Sequence, residues 1–287
     1  MPLLIFAVQY YDFLYSLNHF IYMQNKANLL FIILGGFFIA NALLAEFIGV
    51  KIFSLERTLG LNPVKLHFFG NEGLSFNMSA GVILWPFVFV MTDLINEYFG
   101  RKGVRFLSFL AAALIAYAFI MVFITTRTTP ADFWPTSHIQ SGWSPEKQEL
   151  VKSKVSDYNY AFNLVFGQGL WIIVGSLVAF LIGQLIDVIV FHKIKDITGD
   201  GKFLYRATGS TLVSQFIDSF VVLFIAFYIG ANWKLGTVLA IGLVNYIYKL
   251  CMVFVMIPLL VIIHRWIDRY LGKDLAQQLK HEARNLR

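Results

Sequence analysis

Charged residues and cysteine are both scarce in this sequence. Only 14% of the 287 residues are Asp, Glu, Lys or Arg, and Cys251 is the single cysteine. A soluble domain usually contains about 25% charged residues, so a soluble enzyme is not indicated. One cysteine cannot form a disulfide within the chain, which excludes a disulfide-stapled secreted module. The sequence also lacks a Gly-x-x-x-x-Gly-Lys-Ser/Thr motif, so we expect no ATP hydrolysis by this chain.

Histidines and clustered basic residues are scarce too. The six histidines lie outside the long apolar runs or at their ends, which leaves a zinc site inside those runs without ligands. The net charge is +6, but no block of Lys and Arg accompanies it, so nucleic acid is not a predicted partner. We therefore expect a protein without enzymatic activity, metal or cofactor.

Apolar residues are abundant, at 58% of the chain, and 17% of the residues are aromatic. About 20 helical residues cross the hydrocarbon core of a bilayer. Six runs are long enough to do so: 28–50, 79–99, 104–126, 162–191, 208–230 and 236–263. We predict an all-α membrane protein with six transmembrane helices in a domain of residues 28–264, with the bilayer as its surroundings. The aromatic segment 1–27 lacks the features of a cleaved signal peptide and is predicted to be interfacial, and residues 265–287 form a basic tail.

The distribution of Lys and Arg predicts the orientation. Six spans place both termini on one side of the membrane. That side carries fourteen Lys and Arg residues, whereas the opposite side carries eight. Because cytoplasmic loops are enriched in these residues, both termini are predicted to be cytoplasmic. The loops 51–77 and 127–160 then face outside.

Five of the six runs contain polar residues that are unusual in a membrane span. A charged side chain at mid-membrane costs roughly 2.5–3.5 kcal/mol on insertion scales, so each one needs a partner or a ligand. In chain order these residues are Asn41, Glu46, Thr92, Asp93, Asn96, Glu97, Gln184, Asp187, Gln215, Asp218, Asn245 and Lys249.

The spacing of these residues predicts a shared polar cavity. Asp93 and Glu97 are four residues apart and so lie one turn from each other on a helix. An amide and a carboxylate three residues apart occur twice, at 184–187 and at 215–218, which suggests two facing walls of one site. Carboxylates accept paired N–H groups, amides suit a carbonyl and a ring nitrogen, and Trp85 can stack on a flat ring. The predicted ligand is therefore a small polar heterocycle.

Structural roles remain open for several of these residues. Asp187 could pair with Lys193 or Lys195 at the cytoplasmic interface. Asp93 and Glu97 could cap the interface beside the basic residues at 101–102. Lys249 could neutralise one structural Asp. Asn41 and Thr92 could be interhelical contacts worth about 0.6 kcal/mol each.

Three longer motifs carry a family resemblance. They are Trp85-Pro-Phe leading to Thr92-Asp-Leu-Ile-Asn-Glu-Tyr-Phe-Gly100, Gln184-Leu-Ile-Asp187 before a basic loop, and Arg206-Ala-Thr-Gly-Ser-Thr-Leu-Val-Ser-Gln-Phe-Ile-Asp-Ser219. Across residues 28–270 the chain resembles the queuosine precursor transporters, also called the vitamin uptake transporter family. One departure is Ala207, where similar proteins usually have Asn.

The resemblance implies a multi-pass carrier of the bacterial plasma membrane that imports 7-deazapurines, preQ0 or preQ1. It also implies a fold like that of the substrate-binding subunits of energy-coupling-factor importers. Asp93 and Glu97 are expected to bind substrate or relay a proton, and Lys249 to act as a counter-ion. The expected substrate-binding residues are Asp218, Gln215, Gln184, Asp187, Asn245, Asn41 and Trp85. The alternative is a binding subunit that needs a separate ATPase. The sequence leaves the preferred 7-deazapurine and homodimer formation open.

Overall fold

Helices make up most of the computed structural model, which describes residues 2–167, 169–199 and 202–285. The long helices are α1 (Pro2–Ile48), α3 (Trp85–Thr125), α6 (Leu170–Thr198), α7 (Phe203–Leu223) and α8 (Leu235–Leu271). The shorter ones are α2 (Leu55–Thr58), α4 (Pro145–Lys154), α5 (Tyr158–Phe166) and α9 (Lys273–Asn285). A π-helical turn, Phe224–Ile229, continues α7.

Five helical stretches in the described residues are long and apolar enough to cross a bilayer. They are Asn25–Ile48, Trp85–Thr125, Pro145–Thr198, Phe203–Ile229 and Leu235–Leu271. Large apolar side chains such as Phe37, Phe109 and Phe254 are about half exposed on the outside of these helices. Exposed apolar surface on this scale requires lipid rather than water as its neighbour. The prediction of a helical membrane protein is confirmed, but with five candidate stretches where the sequence predicted six.

The difference arises in α3, which is interrupted at Gly100. This residue has φ 66° and ψ −168°, a conformation that glycine adopts far more readily than other residues. Gly81, just before α3, lies against Ala45 of α1, whereas Phe99 packs on Phe31.

The second segment of α3 returns along the same helix. Gly103 lies close to Phe31, Leu107 to Gly35, and Phe119 packs on Phe47. The two segments of α3 therefore run in opposite directions along α1, with the reversal at Gly100.

Helices α6, α7 and α8 form the rest of the bundle as antiparallel neighbours. Gly183 of α6 approaches the side chain of Asp218 on α7, and Gly242 of α8 approaches the ring of Phe220. A Cβ at Gly242 would lie 2.8 Å from that ring, so this contact requires glycine. Buried apolar residues from α1, α3, α6, α7, α8 and α9 form one continuous core.

Short strands occupy one end of the bundle, which we call the strand end. Strand β1 (Ile52–Ser54) pairs with β4 (Asn77–Ser79), and β2 (Leu66–Phe68) pairs with β3 (Asn71–Leu74), both antiparallel. The Glu56 carboxylate organises this loop by accepting hydrogen bonds from the amides of Phe76 (2.9 Å) and Val64 (3.4 Å). Thr237 Oγ1 donates to Asn71 Oδ1 at 2.9 Å and ties the loop to α8.

Helix α9 packs on the opposite end, which we call the α9 end. Leu275, Ala276, Leu279 and Ala283 form its buried face. A Cβ on Gly100 would lie 2.7 Å from the carbonyl oxygen of Ala283, so the helix docks directly on the reversal in α3.

The two predicted terminal segments are both helical where they are described. The predicted interfacial segment 1–27 is helical from Pro2 and continuous with the first candidate span, and its position at a membrane surface stays a prediction. The basic tail 265–287 divides between the last turns of α8 and the docked helix α9.

Candidate functional site

The first segment of α3 buries a stripe of polar side chains. Thr92 and Asn96 are 0% exposed, Glu97 is 1% and Asp93 is 4%. Their three- and four-residue spacing keeps them on adjoining faces, and these faces meet α6 and α7. Every one of these groups must therefore be matched by a neighbouring helix or by a ligand, because no water surrounds it.

Helix α6 matches part of this stripe with the predicted Gln–Asp pair. Thr92 Oγ1 donates to Gln184 Oε1 at 3.1 Å. Asn96 Nδ2 donates to Asp187 Oδ2 at 3.4 Å, and Ser214 of α7 donates to Asp187 Oδ1 at 3.2 Å. Both oxygens of Asp187 are thus engaged by uncharged donors.

Asp93 is matched less completely. Thr211 Oγ1 donates to Asp93 Oδ2 at 3.4 Å, whereas Asp93 Oδ1 is buried without a hydrogen-bond partner among the described residues. Ser210 lies beside both Asp93 and Asp187, and the two carboxylates are close enough to repel each other. The ion pairs found in the described part of the chain include neither of them.

Glu97, one turn further along α3, is held by two cations. Arg206, which is 0% exposed, places a guanidinium nitrogen 2.7 Å from Glu97 Oε2. Lys195 Nζ lies 3.6 Å from the same oxygen. Arg206 also donates to the carbonyl of Gly199, and Lys195 donates to the carbonyl of Lys280 on α9 at 3.4 Å. This cluster closes the bundle at the α9 end.

A second ion pair joins α7 to α8. Lys249 Nζ contacts Asp218 Oδ2, with side chains 12% and 19% exposed respectively. Lys249 therefore neutralises one of the acidic side chains that the sequence places within the spans.

A cavity of about 40 Å³ lies between α3, α7 and α8. Its polar lining includes Asp93, Thr211, Gln215 and Lys249. Gln215 Nε2, like Asp93 Oδ1, is buried without a hydrogen-bond partner among the described residues. The remaining lining is apolar or aromatic and comprises Trp85, Phe89 and Tyr248 with Met252, Met256 and their neighbours.

The predicted site residues divide into three groups. Trp85, Asp93, Gln215 and Lys249 line the cavity. Gln184, Asp187 and Glu97 lie in the buried contacts of α3 with α6 and α7, and Asp218 pairs with the cavity residue Lys249. Asn41 donates to the carbonyl of Phe37 in its own helix at 2.8 Å, and Asn245 is half-buried on α8. The structure thus brings four of the predicted residues to one cavity, and the ligand roles of all of them stay predictions.

Sequence reasoning missed the inward positions of Arg206 and Lys195. Both were counted among the cytoplasmic charges, although Arg206 lies three turns before Asp218 in a helix whose other motif residues face inward. Thr211 and Ser214 were also missed as donors, and their four- and one-residue spacing before Gln215 could have indicated them. Across the described residues no three His, Cys, Asp or Glu side chains gather to hold a metal ion.

Comparison with known proteins connects this bundle to a transporter family. The family described as "Putative vitamin uptake transporter" matches residues 79–263. A protein of Haemophilus influenzae named "Probable queuosine precursor transporter" is 26% identical over 180 residues, covering 61% of this chain and 63% of its own length. A protein of Bacillus subtilis with the same name is 27% identical over 158 residues, covering 54% of this chain and 59% of its own length.

The chain thus matches about three-fifths of the length of these curated relatives. No solved structure gives a significant match. All the predicted site residues except Asn41 fall inside the family match, including the four that line the cavity. The chain belongs to the vitamin uptake transporter family, whose members are transporters and not enzymes.

Proposed function

We propose that this protein carries a queuosine precursor, a 7-deazapurine such as preQ0 or preQ1, across the bacterial plasma membrane. Two relatives are named as transporters of such precursors. The observation that carries the proposal is the pair of unsatisfied polar atoms on one cavity, Asp93 Oδ1 and Gln215 Nε2.

The chemistry of these two atoms complements a guanine-like edge. A free carboxylate oxygen accepts an N–H group of the base, and a free amide N–H donates to its carbonyl. Trp85, Phe89 and Tyr248 line the same cavity and provide flat faces for stacking. An unpaired polar group in a buried site strongly favours a ligand that satisfies it, because leaving it unmade costs about 1–3 kcal/mol.

The cavity must widen before it can hold such a ligand. A volume of about 40 Å³ admits a few water molecules and is too small for a purine. Met252 and Met256 line the cavity on α8, and the unbranched side chain of methionine adapts easily to a new shape. Binding is therefore coupled to a movement of α8 or its side chains relative to α3 and α7, as alternating access requires.

The proposal includes six membrane crossings and a fold like that of energy-coupling-factor binding subunits. The opposite directions of the two α3 segments along α1 support it, because each segment then crosses separately. Six crossings and the excess of Lys and Arg at the α9 end place both termini in the cytoplasm.

A proton is the coupling ion that the charges favour. Glu97 is held by two cations and Asp218 by one, which leaves Asp93 and Asp187 without a cation among the described residues. Two neighbouring carboxylates in a low-dielectric interior are much less costly when they share a proton. We therefore assign proton binding to Asp93 with Asp187, so that substrate and proton meet at Asp93.

Binding to the purified protein tests the substrate assignment. Asp93→Asn should weaken preQ0 or preQ1 binding by at least about tenfold, because a hydrogen bond to a charged group contributes about 1.5–3 kcal/mol. Asp196→Asn makes the same chemical change at an exposed position and should leave the affinity unchanged. Equal affinities of D93N and the unchanged protein would remove Asp93 from the site.

Transport in liposomes distinguishes the carrier from the alternative, a binding subunit for a separate ATPase. Uptake by the purified chain alone, stimulated by an inward proton gradient, is the expected result. D187N should lose the stimulation by the gradient. A requirement for an added ATPase module would support the alternative instead.

A further inference from the structure

A second concave site lies on the outer surface at the α9 end. A groove of about 260 Å³ opens between the first turn of α7 and the last turns of α8. It shares no lining residue with the central cavity. Its lining residues are Lys202, Phe203, Leu204, Tyr205, Val261, His264 and Arg265.

The groove is positively charged. Lys202 and Arg265 are both exposed along it, and none of the described residues that line it is acidic. Asp268, one turn beyond His264, is engaged elsewhere, since it accepts from Lys280 Nζ and from Tyr98 Oη, each at 2.7 Å. The two basic side chains are therefore available for an anion.

The start of α7 adds donors to the same place. Lys202 is the N-cap residue of α7, and no side chain in the described structure caps this terminus with a hydrogen bond. The first amides of a helix lack partners within the helix and carry the positive end of its dipole. An anion between Lys202 and Arg265 would lie beside these amides, as phosphate groups do at many helix N-termini.

The surroundings of the groove are apolar, which favours a lipid over a soluble anion. The ring of Phe203 stacks on His264 with centroids 4.4 Å apart and closes the bottom of the groove. Tyr205 on the rim is 69% exposed, and Trp266 and Ile262 beside it on α8 are 65% and 45% exposed. Exposed Trp and Tyr next to basic residues are typical of helices at the headgroup level.

We propose that this groove binds the phosphate headgroup of an anionic phospholipid. Lys202, Arg265 and the first amides of α7 hold the phosphate, and the acyl chains lie along Ile262 and Trp266. Basic pockets between transmembrane helices recognise anionic headgroups in this way. The bound lipid would link α7 to α8, the two helices that also flank the transport cavity.

Native mass spectrometry of the full-length protein in detergent tests this proposal. Phosphatidylglycerol and phosphatidylcholine are titrated against the unchanged protein and against K202Q/R265Q. The matched control is K193Q/R269Q, which removes two exposed basic residues of the same end outside the groove. K202Q/R265Q should lose about tenfold or more in phosphatidylglycerol affinity, given about 1 kcal/mol for each basic residue. The control should change by less than about twofold, since its residues lie outside the site.

Further arms keep the outcome decisive. K202R/R265K retains both charges and should retain most of the binding, which also covers the case in which K202Q/R265Q does not fold. Equal losses in K202Q/R265Q and the control would overturn the proposal in favour of general surface charge. Equal binding of phosphatidylcholine would overturn it as well. Glycerol 3-phosphate that competes as strongly as phosphatidylglycerol would show a soluble anion site and not a lipid site.

Discussion

Glu97 and Arg206 illustrate how one buried contact depends on both partners. Arg206 and Glu97 are 0% and 1% exposed and lie 2.7 Å apart. Removing one partner of a buried ion pair leaves an uncompensated charge and costs about 3–5 kcal/mol. Arg206→Gln should therefore lower the unfolding temperature of the detergent-solubilised protein strongly, whereas Arg105→Gln, an exposed substitution near Gly100, should change it little.

The double variant E97Q/R206Q separates the ion pair from the individual side chains. It leaves no buried charge of the pair, so it should be more stable than R206Q alone. Additive losses from the two substitutions would show that the two residues are not coupled.

Glu56 predicts a pH dependence at the strand end. Burial of its carboxylate opposes ionisation, but hydrogen bonds from the amides of Phe76 and Val64 and from Ser54 together lower the pKa of Glu56 below its usual 4.5. A carboxylate whose folded pKa is lowered stabilises the fold above its unfolded pKa and loses this contribution as the pH falls through the folded value. The amides of Phe76 and Val64 should thus be protected from hydrogen exchange at neutral pH and lose protection in acid.

Glu56→Gln should reduce the neutral-pH protection of these amides and remove most of its dependence on acid. Glu72→Gln is the matched control, because Glu72 lies in the same loop with its side chain 81% exposed. Unchanged protection in the Glu56→Gln protein would contradict a role for this carboxylate in holding the loop.

At the scale of residues, the sequence indicates polarity better than partners. Asp93, Gln215 and Lys249 are recognisable because a membrane span rarely contains such side chains. Arg206 and Lys195 escape notice because basic residues near a span end usually face solvent or headgroups. Only the packing of α6 against α7 shows that both reach Glu97, and no spacing rule links residues so far apart in the chain.

At the scale of elements, the contact between α9 and α3 depends on a missing side chain. Gly100 has a positive φ, and a Cβ there would lie 2.7 Å from the carbonyl oxygen of Ala283. Gly100→Ala should therefore strain the reversal and loosen α9, at a cost of about 1–3 kcal/mol from the backbone conformation alone. The measurements are the unfolding temperature and the rate of proteolytic cleavage within α9.

Gly36→Ala provides the matched control for this prediction. Gly36 lies inside α1, and a Cβ there would have no neighbour within 4 Å. Alanine is also the better helix former by about 1 kcal/mol, so this substitution should be neutral or slightly stabilising. Equal behaviour of the two alanine variants would rule out a special role for Gly100.

Helices were easier to predict than their interruptions. The apolar runs mark where helices lie, because burial in lipid leaves the backbone little choice of structure. The reversal at Gly100 needs only one non-helical residue, too short a break to identify from hydropathy. The paired strands β1 to β4 were not predicted either, since their cross-strand pairs are set by the tertiary fold and not by a strong local pattern.

At the scale of the whole molecule, charge is arranged along the bundle axis. Two cations close the α9 end around Glu97, and Lys249 holds Asp218 between α7 and α8. Between them lie Asp93 and Asp187, which have uncharged partners in the described structure. A path from the strand end to the α9 end therefore passes an acidic region before a basic one, which suits a carrier that releases its proton and substrate past Glu97.

The number of crossings decides whether such a path is oriented as we propose. Cysteine labelling can determine it, because Cys251 is the only native cysteine and can be replaced by Ser. Single cysteines are introduced at Ser141 between α3 and α4, at Lys102 after the reversal, and at Gln277 on α9, all of which are exposed. With six crossings, a membrane-impermeant maleimide labels S141C in intact cells, and it labels K102C and Q277C only after permeabilisation.

Five crossings give a different pattern. If α3 crosses the bilayer once, Lys102 lies near its middle and is not labelled under either condition. The α9 end of α8 would then also lie on the side opposite to the start of α1, so the sidedness of Q277C relative to a tag before α1 would change. The contacts of α1 favour the first pattern, since Phe31 packs on Phe99 while Phe47 packs on Phe119, twenty residues further along α3. A single straight crossing cannot bring both of these pairs together while Gly81 also lies against Ala45.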